Sequence, residues 1–573
     1  MRTYSRLRSW LERPHASRAI LLVALLLGTP SLASPLVMDE YAQLLHFRAG
    51  ACTFLRTAFV FAEPATRQRE LEHGMGAWWA APDLRIAFLR PLAAATQALD
   101  FTLWPRSVPL MHVHTLLWFA ALLVAAGALF RRLLPTPAIA NLALALYAWD
   151  DARGQILSWV ANRHALLGGL LGCATLLCHD KWRRDAWRVG AVLGPALFGL
   201  SLLCSEMALA TSGFLLGHAL FVDMGRLTRR LLRLVSYACI ALAWQLTYTW
   251  AGYGTQGSGA YLHPFHEPLA YLEHLPARAL LLSLGELTPI ASDVALFLPS
   301  PVRGALVALA VVVSGLFVLA VLPLTATVRQ TGFWLTGAAL SLLPVAAIGP
   351  SDRNLVFVGL GAAALLALGV QAVMQTQLAS WRRIVIGALL FCNLALAPVL
   401  LPIKSLYMLA LQAALEPTDA SIPRDHTVAS RTLVVVATGS EGPVGVSFWR
   451  RDALEIPRPR AARILVATLG TTSIERMDDK TLLLTRAEGF FEADMHALAR
   501  GRSQPFQRGE VLTLSDLTVS VDDVTTDGRP RALTFRFAEP LEHPRWIWMR
   551  GSGTRLVDWT PPPIGQSTEL SQS

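Results

Sequence analysis

Charge is what this chain lacks. Asp, Glu, Lys and Arg make up 16% of its 573 residues, against about 25% in a typical soluble domain. Hydrophobic residues reach 53% and mean hydropathy is +0.44. This composition excludes an ordinary water-soluble globule and points to a polytopic membrane protein. Cysteine is scarce too. Cys52, Cys173, Cys178, Cys204, Cys239 and Cys392 show no CxxC and no regular spacing, which argues against a zinc knuckle or a disulfide scaffold. A Cys52–Cys204 bridge is conceivable by compartment but is not expected. No internal repeat is visible, which counts against a transporter built from corresponding halves.

What charge there is carries a sign. The formal net charge is +10 and the pI about 9.7. Most arginine clusters lie in short gaps between apolar runs, where they set membrane orientation. No nucleic-acid partner is expected. A span needs about 20 apolar residues, and about eleven runs qualify: 16–37, 109–130, 136–150, 158–178, 189–204, 207–223, 233–251, 303–326, 332–348, 354–374 and 384–402. Arg131-Arg132, Lys181 to Arg188, Arg226 to Arg233, Arg329 and Arg382-Arg383 then share one side. That side is cytoplasmic, and with it the N-terminus. The N-terminal arginines followed by Leu32-Ala33-Ser34-Pro35 also fit a cleaved signal peptide. An uncleaved first span is preferred.

The opposite side holds two long loops, about 39–108 and 252–302. Amphipathic stretches and Trp78, Trp79 and Trp104 predict short helices on the membrane surface, with tryptophans in the headgroup zone. The Gly252-Tyr253-Gly254 start of the second loop reads as linker or flap. Two domains are expected. Residues 1–404 form the transmembrane domain. Residues 405–573 form a small non-cytoplasmic β-rich domain, helical over 405–415. Its β-prone runs at 433–437, 463–468, 481–484, 512–521, 533–537 and 546–549, separated by turn signals, suggest a sandwich or barrel.

Chemistry begins at Met38-Asp39-Glu40-Tyr41. Two adjacent carboxylates meet water where the first apolar run ends. Acids beside membrane segments are functional candidates, the alternative being a snorkelled interface pair. His263, His266 and Glu267, and separately His112 and His114, carry metal-ligand chemistry, but neither set has a diagnostic spacing. Cofactors are therefore open, with a divalent metal as one option.

Several further motifs lie on the same side. They are Phe88-Leu89-Arg90-Pro91-Leu92, then Leu99-Asp100 to Leu103-Trp104, then His112 and His114. Ser158-Trp159-Val160-Ala161-Asn162-Arg163, Leu203-Cys204-Ser205-Glu206 and Asp352-Arg353-Asn354 follow. In this order they resemble membrane glycosyltransferases of the GT-C type. The branch they are most similar to is the protein O-mannosyltransferase-like one, with the transmembrane tetratricopeptide O-mannosyltransferases and their bacterial relatives. The resemblance covers about 30–375, and tetratricopeptide repeats are absent. One departure stands out. Where the family has a histidine-containing stretch ending in glutamate, this chain has Asp150-Asp151-Ala152-Arg153-Gly154-Gln155.

The resemblance implies a polyprenyl-phosphate sugar donor, used at the non-cytoplasmic face and transferred with inversion to an acceptor glycan, lipid or protein. Such a reaction needs a base for the acceptor hydroxyl, tolerance of an oxocarbenium-like state and a cation for the leaving phosphate. Asp39 is the candidate base with Glu40 beside it, and Asp150 and Asp151 are a second carboxylate pair. Arg353, Arg163 and Arg90 are candidates for the phosphate. Glu206, His112 and His114 are supporting candidates, with Glu206 suited to an ion pair such as one with Arg90. The alternatives are a non-catalytic scaffold or lipid-binding subunit of the same fold, and, ranked last, a transporter or flippase. The Ala/Leu/Arg bias suits a bacterial inner membrane with a periplasmic C-terminus.

Overall fold

The computed structural model describes residues 8–298, 300–375, 379–491 and 498–572. Each of the eleven apolar runs folds as helix. Among the described residues, six helices are long and apolar enough to cross a membrane: Ala16–Ala33, Val108–Leu133, Val160–Arg184, Pro301–Ala326, Val356–Gln375 and Ser380–Lys404. The others differ in length. Pro137–Ala148 has 12 residues, or about 18 Å of helix, short of the roughly 30 Å hydrocarbon core. It is buried from Ala138 to Ala148, so it is a central packing element held by its neighbours. Val160–Arg184 and Val356–Gln375 are also central, whereas Ala16–Ala33, Pro301–Ala326 and Ser380–Lys404 are peripheral. Leu22, Leu26, Val312, Ile384 and Val399 are more than half exposed on these outer helices. In water that surface would be costly; in lipid it is solvated. The chain is a polytopic, mainly helical membrane protein with a β-rich C-terminal region.

The first long loop folds as short helices, Asp39–Ala49, Ala51–Thr57, Arg67–His73 and Pro91–Leu103. It also supplies two strands, β1 (Val60–Ala62) and β2 (Arg85–Ala87). The second loop supplies β3 (Gly254–Gln256), paired antiparallel to β2. The glycine-rich start of that loop is thus sheet, not free linker, and the two loops are fastened to each other. The second loop continues as the helix Pro268–Leu287.

After Lys404 the chain bends at Ser405 and forms the helix Tyr407–Ser421. The expected sandwich follows, with one addition. β4 (Thr432–Thr438) and β5 (Ala461–Ala467) are parallel, joined by the helix Gly442–Ala453. A parallel crossover requires such a helix. β11 (Trp546–Ser552) pairs parallel to β4 on its other side, and β12 (Arg555–Asp558) pairs antiparallel to β11. The second sheet is antiparallel, in the order β13-β6-β7-β10-β9-β8. These strands are β6 (Gly470–Arg476), β7 (Thr481–Thr485), β8 (Val511–Thr513), β9 (Leu517–Val524), β10 (Pro530–Phe537) and β13 (Ser567–Gln572). β4 is buried along its whole length. Leu433 and Val435 face the helix cluster with Phe448, and Val434 and Val436 face the second sheet. Burial on both faces explains its unbroken apolar sequence.

Trp78 and Trp79 correct a sequence expectation. They do not sit in the headgroup zone. They belong to the core between the two C-terminal sheets, with Trp79 stacked on Phe491 at 4.6 Å and only 1% exposed. Trp78 Nε1 donates to Leu465 O at 2.8 Å. Arg463 clamps the same loop, donating to Leu71 O at 2.7 Å and Glu72 O at 2.9 Å. At Gly74, φ is +70° and an added Cβ would lie 2.1 Å from Ala462 N. Only glycine fits that approach. All six cysteines are free, so no Cys52–Cys204 bridge forms.

Candidate active site

Asp39 opens the helix Asp39–Ala49 just past the first span. Met38 before it has φ 54° and ψ −123°, a conformation that residues with a Cβ rarely adopt and that is kept only when neighbours enforce it. Glu40 supplies the enforcement. Its Oε2 accepts from Val37 N at 2.8 Å and its Oε1 accepts from Ala161 N at 3.2 Å. Burial, followed by the Asp39 charge, pushes the Glu40 carboxyl up to about 8. Glu40 is buried with both oxygens committed to backbone, so it braces the kink and does not face a substrate.

Asp39 itself is half-buried. Its Oδ1 accepts from Trp159 Nε1 at 3.0 Å. Burial pushes its carboxyl up to about 6, opposed by the Arg353 charge, the Trp159 hydrogen bond and the Arg90 charge. The Arg353 guanidinium lies over the Trp159 ring, 5.0 Å from its centroid. Arg353 is also half-buried, and among the described residues neither it nor Asp39 forms an ion pair. Its backbone is fixed by Gln155, whose Oε1 accepts from Arg353 N at 3.1 Å and from Ser351 Oγ at 3.3 Å. A carboxylate and a guanidinium, each without an ion pair among the described residues, thus share one indole just past the first long apolar helix.

The remaining candidates sit deeper. Asp150 and Asp151 are buried and committed, so they are not free carboxylates. Asp150 pairs with Arg153 at 2.9 Å, and Arg153 reaches Glu286 at 3.5 Å. Asp151 pairs with Lys404 at 2.5 Å, and Lys404 also holds Asp352 at 2.7 Å. Burial raises the Asp151 carboxyl against the pull of Lys404.

Arg163 is likewise withdrawn from the phosphate role. It is 1% exposed and pairs with Asp100 at 2.5 Å while donating to Met111 O and Thr115 Oγ1. His114 completes that knot, with Nδ1 2.6 Å from Asp100 and Nε2 accepting from Trp118 at 2.9 Å. His112 is buried, its Nδ1 3.0 Å from Leu157 O. Arg90 pairs with Glu206 at 2.8 Å and lies over Phe88; it reaches the site through its charge on Asp39.

His263 and His266 stack on each other at 4.1 Å, and Glu267 accepts from Ser503 Oγ. Among the described residues no group of three or more His, Cys, Asp or Glu side chains is placed to hold a metal ion.

Sequence reasoning passed over Asp293, Lys404, Arg153 and Glu286. Lys404 carried a signal: it is a cation at the loop-side end of a span, against the charge rule. Asp293 carried none, since it lies in the short turn Ser292–Leu296 outside every motif.

No family model and no curated protein matches the sequence. Solved structures do show likeness. An oligosaccharyltransferase of Archaeoglobus fulgidus in the apo form is 12% identical with a TM-score of 0.41, over 78% of this chain and 65% of that one. The same enzyme tethered to an acceptor peptide containing the NVT sequon gives 12% and 0.41, over 79% and 64%. ArnT from Cupriavidus metallidurans bound to undecaprenyl phosphate gives 12% and 0.39, over 79% and 90%. The chain spans just under two thirds of the length of the archaeal enzyme. Likeness at this level carries neither activity nor substrate over to this chain.

Proposed function

We propose that the protein is a glycosyltransferase of the GT-C type. It moves a sugar from a polyprenyl-phosphate donor to an acceptor hydroxyl, with inversion. The observation that carries this reading is the Asp39–Trp159–Arg353 arrangement. It presents a base and a phosphate-binding fork side by side at the membrane boundary, each without an ion-pair partner among the described residues. Asp39, with its carboxyl near 6, is ionised at neutral pH and takes the acceptor proton as attack proceeds. Arg353 binds the phosphate oxygens and gathers the charge that builds as the glycosidic bond breaks. The acceptor attacks from the face opposite the phosphate in a single displacement, which inverts the anomeric carbon.

The sequence motifs favour the O-mannosyltransferase-like branch. The cationic gaps favour a cytoplasmic N-terminus and a periplasmic C-terminal domain in a bacterial inner membrane. A second reading, a lipid-binding subunit without transferase activity, draws on one observation: the Asp150–Gln155 stretch offers no free carboxylate.

The test is a transfer assay in lipid with a panel of polyprenyl-phosphate sugars. Wild type should consume at least one donor. Asp39→Asn should lose about 10²–10⁴-fold in rate, and Arg353→Ala should lose donor affinity. Tight binding of the lipid without turnover of any donor would instead establish the subunit reading.

A further inference from the structure

Five carboxylates are linked through Arg153, Lys404 and the Asp352–Asp293 contact: Asp150, Asp151, Glu286, Asp293 and Asp352. Four of them are matched to cations. Arg153 serves Asp150 and Glu286, and Lys404 serves Asp151 and Asp352. Asp293 has no ion-pair partner among the described residues and joins the network through hydrogen bonds from Asp352 N and Gln155.

Its position is tightly set. Asp293 Oδ2 accepts from Asp352 N at 3.0 Å, and Asp352 Oδ1 accepts from Ser292 N at 2.8 Å. This reciprocal pair locks the turn Ser292–Leu296 to Ser351-Asp352-Arg353. Gln155 ties the same two loops together. Its Nε2 donates to Asp293 Oδ1 at 3.5 Å while its Oε1 takes the Arg353 N–H. Asp293 therefore stands on one side of Gln155 and Arg353 on the other. The charged and titratable groups facing Asp293 are Asp352 and Arg353, and burial is the larger influence, raising its carboxyl. Tyr407 approaches from the C-terminal helix and is influenced by the same charges. Asp293 is only half-buried, and each of its oxygens accepts one hydrogen bond and keeps a second lone pair for a further donor. Ser292 Oγ and Asn354 Nδ2, in the two loops so joined, are buried polar atoms with no hydrogen-bond partner among the described residues.

We infer that Asp293 is a substrate-binding carboxylate that accepts hydrogen bonds from hydroxyl groups of the donor sugar, whose phosphate is held by Arg353. This rests on the donor reading above. A carboxylate with spare lone pairs and no ion-pair partner accepts hydroxyl donors strongly. A lipid phosphate without its sugar satisfies Arg353 and adds no hydrogen bond to Asp293. Asp293 is thereby a residue that tells a glycosylated lipid from a bare one.

The experiment compares three probes on the full chain in lipid nanodiscs: undecaprenyl phosphate, undecaprenyl-phosphate mannose and undecaprenyl-phosphate glucose. Wild type should bind at least one glycosylated lipid more tightly than undecaprenyl phosphate. Asp293→Asn should bind undecaprenyl phosphate as wild type does and bind that glycosylated lipid about ten- to a hundred-fold more weakly. Asp293→Glu should recover part of the difference, and equal binding of the bare lipid by each variant shows that the fold is intact. The inference is overturned if wild type gains nothing from either sugar, if Asp293→Asn keeps the gain, or if both variants lose the bare lipid as well. Failure of wild type to bind undecaprenyl phosphate at all would refute the donor reading itself and is visible before any Asp293 variant is measured.

Discussion

Trp159→Phe removes one hydrogen bond from Asp39 and leaves a ring beneath Arg353. The 3.0 Å Nε1–Oδ1 bond favours the charged carboxylate, so its loss makes the proton harder to remove. A hydrogen bond to a charged group contributes about 1.5–3 kcal/mol, and each pH unit corresponds to about 1.36 kcal/mol. Asp39 is half-buried and solvent replaces part of the bond, so the lower end applies. The carboxyl should then rise from about 6 by about one pH unit. If Asp39 is the base, the acid limb of the rate profile moves with it. The assay is donor consumption by purified protein in lipid, followed from about pH 5 to about pH 9. Wild type should gain activity through about pH 6 and then level off. Trp159→Phe should reach the same plateau about one pH unit later, so its deficit is roughly tenfold on the acid side and nearly absent on the alkaline side. Arg353→Gln should also move the limb upward, because the Arg353 charge lowers the same carboxyl. A Trp159→Phe profile with an unmoved limb and a uniform loss at every pH would refute Asp39 as the titrating base.

Stability should also carry a pH signature. Glu40 is raised from 4.5 to about 8 on folding, so the folded state keeps a proton that the unfolded chain releases. The melting temperature should fall as pH rises through that window, and Glu40→Gln should flatten the slope while costing about 1–3 kcal/mol, since an amide NH₂ cannot accept from Val37 N or Ala161 N. Arg153→Met strands Asp150 and Glu286 without their cation and should destabilise the chain by about 3–5 kcal/mol, read by thermal melting in detergent. Trp79→Ala empties the core between the C-terminal sheets and should cost about 3–5 kcal/mol, seen as faster proteolysis of residues beyond 430.

The helices were legible because lipid imposes a strong rule on sequence. Long apolar runs separated by arginines leave little freedom, and every run folds as helix. The strand at 533–537 was legible from its alternation and that at 433–437 from its unbroken β-prone run. Asp39 and Arg353 stood out because charge at a membrane boundary is expensive. Asp150, Asp151 and Arg163 also stood out, yet the structure pairs Asp151 and Arg163 with distant residues and Asp150 with Arg153, three positions on. Sequence shows where a charge lies and is silent on whether another segment neutralises it. Lys404 answers Asp151 from some 250 positions away, at a distance of 2.5 Å. Asp293 was invisible because its meaning comes from being left over. Trp78 and Trp79 misled because an amphipathic ring suits an interface and a protein core alike.

The burial of Trp78 and Trp79 has a consequence for biosynthesis. Their partners, Leu465 and Phe491 among them, leave the ribosome some 400 residues later. The first loop cannot reach its final form until the last third of the chain has been made and brought to the same side of the membrane. The segment around Trp78 and Trp79 is thus completed only after the strands that bury it have been made.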